Sequence, residues 1–196
     1  MEGASFLRKY VAVVGAGYEA RYMVRNMIQL RCTKKVLDYL GIKKDQLREF
    51  QDSDTLLGNW YLNMINIERR KTLIFMNENT LLSFLIYGMK KNQINKIPEI
   101  FLGGLDQVLM YEGVKDSKIE YILNQIRLIE ITKTYSRSLL GNLNDLIYLY
   151  ISMIDAQGGL QYCDMTKIIK QINRTPQKNL NWGRSINKVN ELLETI

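Results

Sequence analysis

The chain has 196 residues, 46 % of them hydrophobic, and 27 basic against 20 acidic side chains leave a net charge of +7. Histidine is absent, which excludes Ser-His-Asp and Cys-His nucleophiles, imidazole-held metals and the usual neutral-pH general base. Any catalysis would rest on carboxylates, Lys, Tyr, Ser, Cys or an oxygen-held cation.

A length of this order predicts one domain with a core of its own. Cys32 and Cys163 show no CxxC spacing, so two thiols in a reducing compartment are expected rather than a disulfide or zinc site. No apolar run approaches the roughly 18 residues of a membrane span, and no signal-peptide pattern opens the chain. A cytoplasmic protein with no membrane contact is the expectation. The basic balance favours polyanionic partners. Its cations are spread, however, and the only close groups are Lys34/Lys35, Lys43/Lys44, Arg69-Arg70-Lys71 and Lys90/Lys91.

In chain order, Tyr10 to Val14 reads as a short apolar strand, followed by Gly15-Ala16-Gly17 and a helix through Arg25. Ile28 to Arg31 reads as a strand. Thr33 caps a helix carrying Val36, Leu37 and Leu40, which Gly41 stops. A helical turn is expected over Asp45 to Phe50, then the polar run Gln51-Asp52-Ser53-Asp54. The centre reads as a β-meander: Trp60 to Ile67, a turn at Glu68-Arg69-Arg70, Lys71 to Met76, a turn at Asn77-Glu78-Asn79, then Leu81 to Tyr87, ended by Gly88. Beyond it, Ile94, Ile97, Phe101, Leu105, Val108 and Leu109 keep a helical period, with a bend expected at Gly103-Gly104. Ile119 to Ile126 marks a helix, Leu128 to Ile131 an extended piece, and Leu139 to Tyr150 a further helix. Gly158-Gly159 breaks the chain before helices over Met165 to Ile172 and from Ser185 onward. Strands first and helices later predict an α+β fold, an antiparallel meander sheet packed against several C-terminal helices.

Five features bear on chemistry. Gly15-Ala16-Gly17-Tyr18-Glu19-Ala20 matches GxGxxA after a strand, but no acid ends a second strand about 20 residues on, as dinucleotide binding requires. Asp52, Asp54, Glu68 and Glu78 lie around the meander and offer oxygen ligands for Mg²⁺, although loop acids are more often simply solvated. Arg69, Arg70 and Lys71 sit at a hairpin where a guanidinium can fork onto phosphate, against the plainer reading of a solvated tip. Lys133, Thr134, Arg137 and Ser138 lead into a helix carrying Asn142 and Asp145. The free amides of that start attract anions, and a capped structural helix is the competing account. Trp60 with Tyr61, and Trp182 near Arg184, are aromatic groups able to stack bases or to pack.

The segments Arg31-Cys32-Thr33-Lys34-Lys35, Leu57-Gly58-Asn59-Trp60-Tyr61, Ile67-Glu68-Arg69-Arg70-Lys71 and Arg137-Ser138-Leu139-Leu140-Gly141-Asn142-Leu143-Asn144 carry a resemblance. In order and spacing they are similar to the motifs of a family of small uncharacterised bacterial proteins, which read roughly as RCTKKL, LGxWxANLxxIDRRKxxLF and RSVLGSMND. The similarity runs from about Met27 to Asp145, with a weaker tail. It implies a bacterial plasmid, prophage or phage-defence setting and supplies no activity. Glu68 stands where the family tends to carry Asp. Residues 1–26 precede the usual start, which marks them as an N-terminal extension and 27–196 as a single α+β domain.

The functional expectation is a non-enzymatic binding protein for an anionic partner, RNA or a nucleotide-like ligand, with no cofactor. The residues expected to carry it are Asn59, Trp60, Arg69, Arg70, Lys71, Asn77, Lys133, Thr134, Arg137, Ser138 and Asn142. Two alternatives stand beside it: a Mg²⁺-dependent phosphoryl-transfer or nuclease-type enzyme using Asp52, Asp54, Glu78 or Asp145, and an antitoxin-like protein-interaction module.

Overall fold

The computed structural model describes residues 26–196. The expected Tyr10–Val14 strand and the glycine motif after it lie outside them. Strand β1, Met27–Cys32, is buried along its whole length, and Asp54 fastens its start by accepting the Asn26 amide at 2.8 Å. Helix α1, Lys34–Leu40, begins at Thr33 and ends on Gly41 at φ 68°, a left-handed stop that glycine takes without a Cβ penalty. The Thr33 hydroxyl leaves the cap unused and donates to Asn63 Oδ1 at 2.8 Å instead.

The meander has the expected order. Strands β2, Trp60–Ile67, and β3, Arg70–Asn77, pair antiparallel with Ile67 opposite Arg70. Only Glu68 and Arg69 form the turn, both at positive φ (46° and 66°), as a two-residue primed hairpin needs. Neither residue is the usual Asn or Gly. Glu68 is held from outside: its Oε1 accepts the Leu160 amide at 2.8 Å and sits against the Cα of Gly159, where no Cβ intrudes. Strand β4, Ser83–Tyr87, completes the meander beside β3.

The sheet departs from the all-antiparallel expectation. Its order is β4-β3-β2-β1-β5, and β1 runs parallel both to β2 and to β5, Leu128–Lys133. Alternation along a strand tells which face a residue takes but not which strand lies beside it. The two parallel neighbours of β1 were therefore invisible in the pattern.

Helices cover both faces rather than one. Trp60 and Tyr61, consecutive in β2, point to opposite sides. On the Trp60 side packs α2, Ile97–Tyr111, whose Phe101 ring lies 5.2 Å from Trp60 and 5.5 Å from Phe75. The helix passes through Gly103-Gly104, and Gly104 lies directly under the Phe84 ring. On the Tyr61 side pack α4, Arg137–Ala156, and α5, Met165–Asn173. Tyr61 Oη accepts the Ser136 amide at 3.2 Å, Ser83 Oγ meets Tyr150 Oη at 3.0 Å, and Asn173 Oδ1 takes the Ser83 amide at 2.9 Å. Helices α3, Asp116–Gln125, and α6, Ser185–Leu193, complete the structure. Among the described residues no helix is long and apolar enough to cross a membrane.

Candidate functional site at the carboxyl ends of β1 and β5

In sheets with parallel strands, ligands favour the crevice outside the strands' carboxyl ends. Here β1 and β5 end side by side, with Cys32 paired to Lys133 and the Thr134 amide donating to Cys32 O at 3.2 Å. Lys34 and Lys35, both exposed, open α1 directly after β1. Ser136 caps α4 by accepting the Leu139 amide at 3.3 Å. The amides of Arg137 and Ser138 find no acceptor among the described residues, so they face outward with the positive end of a 20-residue helix.

Arg31 ties this edge together. It stands in β1 between two apolar residues, on the same face as Gln29, and is 1 % exposed. A buried guanidinium persists only when paired. Nη1 pairs with the Glu78 carboxylate, Nη2 donates to Gln51 O at 3.2 Å, and the Tyr135 ring centroid lies 4.4 Å from Cζ. The chain between α1 and β2 crosses this polar face as an extended strap. Arg48 accepts the Thr132 hydroxyl at 2.8 Å, Glu49 accepts the Gln29 amide at 2.7 Å, and Ser53 donates to Met27 O at 2.7 Å. The expected helical turn over Asp45–Phe50 reduces to a 3₁₀ turn at Lys44–Gln46, because these bonds draw the rest out straight. The strap delivers Phe50 against Tyr135, with ring centroids 5.0 Å apart. Both rings are substantially exposed, at 42 % and 55 %, and Lys133 Nζ lies 5.8 Å from the Phe50 ring. The result is a pinned aromatic pair rimmed by cations.

Burial raises the Glu78 carboxyl above its ordinary range, against the opposing pull of Arg31 and the Asn59 amide and with some help from Asp52. Burial likewise raises the Tyr61 phenol, while the Ser136 and Tyr135 amides and Arg31 act the other way. Glu78 anchors the edge through Arg31, and Tyr61 through the Ser136 amide.

Of the expected site residues, Lys133, Thr134, Arg137 and Ser138 come together here. Asn59 supports the edge from beneath, buried at 1 %, with Oδ1 accepting the Gln29 amide at 2.7 Å and Nδ2 donating to Gln51 O at 3.0 Å. Asn77 is fully buried and organises the β3–β4 turn through five hydrogen bonds. Trp60 is fully buried between Phe84 and Phe101 and presents no face to a ligand. Asn142 is nearly buried and accepts from Asn179. Arg69, Arg70 and Lys71 stand elsewhere. In the sheet register Lys133 aligns with Cys32, Leu62 and Phe75. Arg70 lies five residues further, about 17 Å along the strand and about 14 Å across it. Lys71 turns its ammonium onto the Tyr39 ring at 3.8 Å. Of the acids expected to hold Mg²⁺, Glu78 pairs with Arg31 and Asp54 accepts the Asn26 amide, and among the described residues no three Asp, Glu or Cys side chains gather as a metal site.

Sequence reasoning overlooked Arg31, Phe50 and Tyr135 as site residues and offered Glu78 only as a cation ligand, not as the partner of Arg31. The signal was present in Met-Ile-Gln-Leu-Arg-Cys: Gln29 and Arg31 alternate with apolar residues in a strand buried on both faces, and such a polar face must be covered by matching partners.

Residues 29–188 match the family profile of a domain of unknown function, DUF6933. The chain belongs to this family. The DUF6933 match opens inside β1 and closes inside α6, so it takes in all of the sheet but Met27 and Ile28, together with the Arg31 edge. The chain matches no curated protein.

Proposed function

We propose that this DUF6933 chain is a non-enzymatic binding protein for an anionic partner that carries a base, an RNA or a nucleotide-like ligand, held at the carboxyl ends of β1 and β5. The observation that carries the reading is the Phe50–Tyr135 pair, exposed yet fixed over buried Arg31, beside Lys133 and the cationic start of α4. Aromatic faces stack bases, while lysine, arginine and free helix amides hold phosphate. The net charge of +7 adds long-range attraction. The setting proposed for it is a bacterial cytoplasm, on a plasmid or prophage.

The test is a salt titration of single-stranded RNA binding. Each phosphate contact is expected to steepen the fall of log K against log salt by about 0.7. The double reversal Lys133→Glu/Arg137→Glu is expected to flatten that slope, and Tyr135→Ala to weaken binding about five- to hundredfold at every salt concentration. An RNA that fails to bind at low salt, or that binds both variants as it binds the parent, overturns the proposal.

A further inference from the structure

A second surface combines a groove, a strained turn and an exposed aromatic ring, and it involves none of the residues of the β1–β5 edge. The groove, about 770 Å³ and open to solvent, runs along α5 and ends at Thr175 and Pro176. Lys167 and Lys170 line it and take part in no salt bridge among the described residues. Arg174 also lines it, although its Nη1 is engaged by the Glu112 carboxylate. The acid on the rim, Asp164, spends an oxygen on the Lys167 amide as the cap of α5.

The chain that leaves the groove folds straight into a small closed turn. Gln177 bridges Gly183, and its carbonyl accepts both the Leu180 amide at 3.0 Å and the Trp182 amide at 2.9 Å. Asn179 ties the turn to α4 through Asn142. Asn181 and Trp182 both adopt left-handed backbone, with φ 52° and 64°. Asparagine tolerates that region, but a bulky aromatic residue avoids it. The strained conformation does not serve the core, because Trp182 is 69 % exposed. Lys178 and Arg184 flank it, both exposed and both without a carboxylate partner among the described residues. The turn that presents this large ring to water follows directly on the end of the cationic groove at Pro176, and strain kept for that purpose indicates a ligand for the ring.

We propose that the Trp182 turn and the basic flank of α5 hold a single-stranded nucleic acid, with Trp182 stacking on a base while Lys167 and Lys170 contact phosphates. A single strand fits because stacking needs an unpaired base face, which a duplex keeps inside its own stack. A protein partner fits less well: Lys167, Lys170 and Arg174 bring three cations into the groove, whereas the centre of a protein interface is depleted in charged residues.

Trp182 and Trp60 are the only tryptophans in the chain, and Trp60 is fully buried. Iodide therefore quenches the Trp182 emission selectively, which gives a direct readout. A single-stranded oligonucleotide is expected to quench that component and to protect it from iodide. Inorganic polyphosphate should compete for the groove without quenching, and a duplex of equal length should quench far less. Trp182→Ala is expected to lower single-strand affinity about five- to hundredfold and to leave polyphosphate binding unchanged, with Trp182→Phe recovering part of the loss. Lys167→Glu/Lys170→Glu should weaken both ligands and reduce the salt slope. The proposal is overturned if Trp182→Ala binds the single strand as the parent does, if the oligonucleotide leaves Trp182 emission unmoved, or if polyglutamate binds the groove as well as the oligonucleotide. The Lys133→Glu/Arg137→Glu variant keeps the two readings apart: Trp182 quenching that survives it supports this surface even where the β1–β5 edge binds nothing.

Discussion

Two adjacent glycines in α2 should respond to alanine with opposite sign. Gly103 faces open space, so Gly103→Ala meets no atom within 4 Å and removes only the conformational freedom that glycine costs a helix. It should stabilise the protein by about 0.5–1 kcal/mol. The same methyl at Gly104 would stand 2.9 Å from Phe84 Cδ2 and 3.1 Å from Cζ, and would overlap Cε2. The ring has little room to retreat, stacked on Phe75 at 4.9 Å and 20° and hemmed in by Trp60 at 5.7 Å. Overpacking of a filled core costs about 1–3 kcal/mol. Taking the upper end for a boxed ring and subtracting the helix gain of about 1 kcal/mol leaves a net loss of about 2 kcal/mol. Urea unfolding followed by circular dichroism reads both changes. With a slope of about 2 kcal/mol per molar, Gly104→Ala lowers the midpoint by about 1 M while Gly103→Ala raises it slightly. Equal midpoints, or a Gly104→Ala protein more stable than its parent, would refute the packing described for Phe84.

Asn77→Ala deletes a fully buried side chain that bonds Leu57 O at 2.8 Å, Asn59 O at 3.2 Å and the Thr80 amide at 2.9 Å. It should cost about 3 kcal/mol through the orphaned groups, read as a fall in urea midpoint at constant slope. Burial holds the Glu112 carboxyl above its ordinary value of 4.5, with Arg174, Asn173 and Lys170 pulling it down. The native state thus keeps this proton at a pH where the unfolded chain has lost it. Stability on this account falls as pH rises through the window above 4.5. Glu112→Gln should flatten that fall, measured as urea midpoints across the acid range, and an unchanged pH profile would reject the assignment.

The elements were legible where local pattern decides them. Trp60 to Ile67 is a β-rich run closed by a polar turn, and Gly41 and Gly88 stop their elements at φ 68° and 77°. What escaped depends on residues far apart in the chain. The parallel setting of β1 comes from partners on both sides that local pattern does not identify. The strap through Phe50 is straight because it bonds to Gln29, Arg31 and Thr132 rather than to itself. Trp60 was judged by its chemistry, whereas a sheet covered on both faces hides either member of a Trp-Tyr pair. At the candidate site, the hydroxyls and cations that open α4 were legible because a helix start is local. The Arg31–Glu78 pair was not, because it joins β1 to the turn that follows β3, across β2.

The central place of β1 has a consequence for how the protein comes off the ribosome. Its bonds reach 30 residues downstream on one side and 101 on the other, from Gln29 to Asn59 and to Glu130. Until Lys133 has cleared the exit tunnel, the first described strand has one open flank, and its polar side chains lack part of their final company. Contacts of such long separation form slowly. The nascent chain therefore spends most of its synthesis with a bare strand edge, and chaperone supply rather than intrinsic stability should set the yield of soluble product.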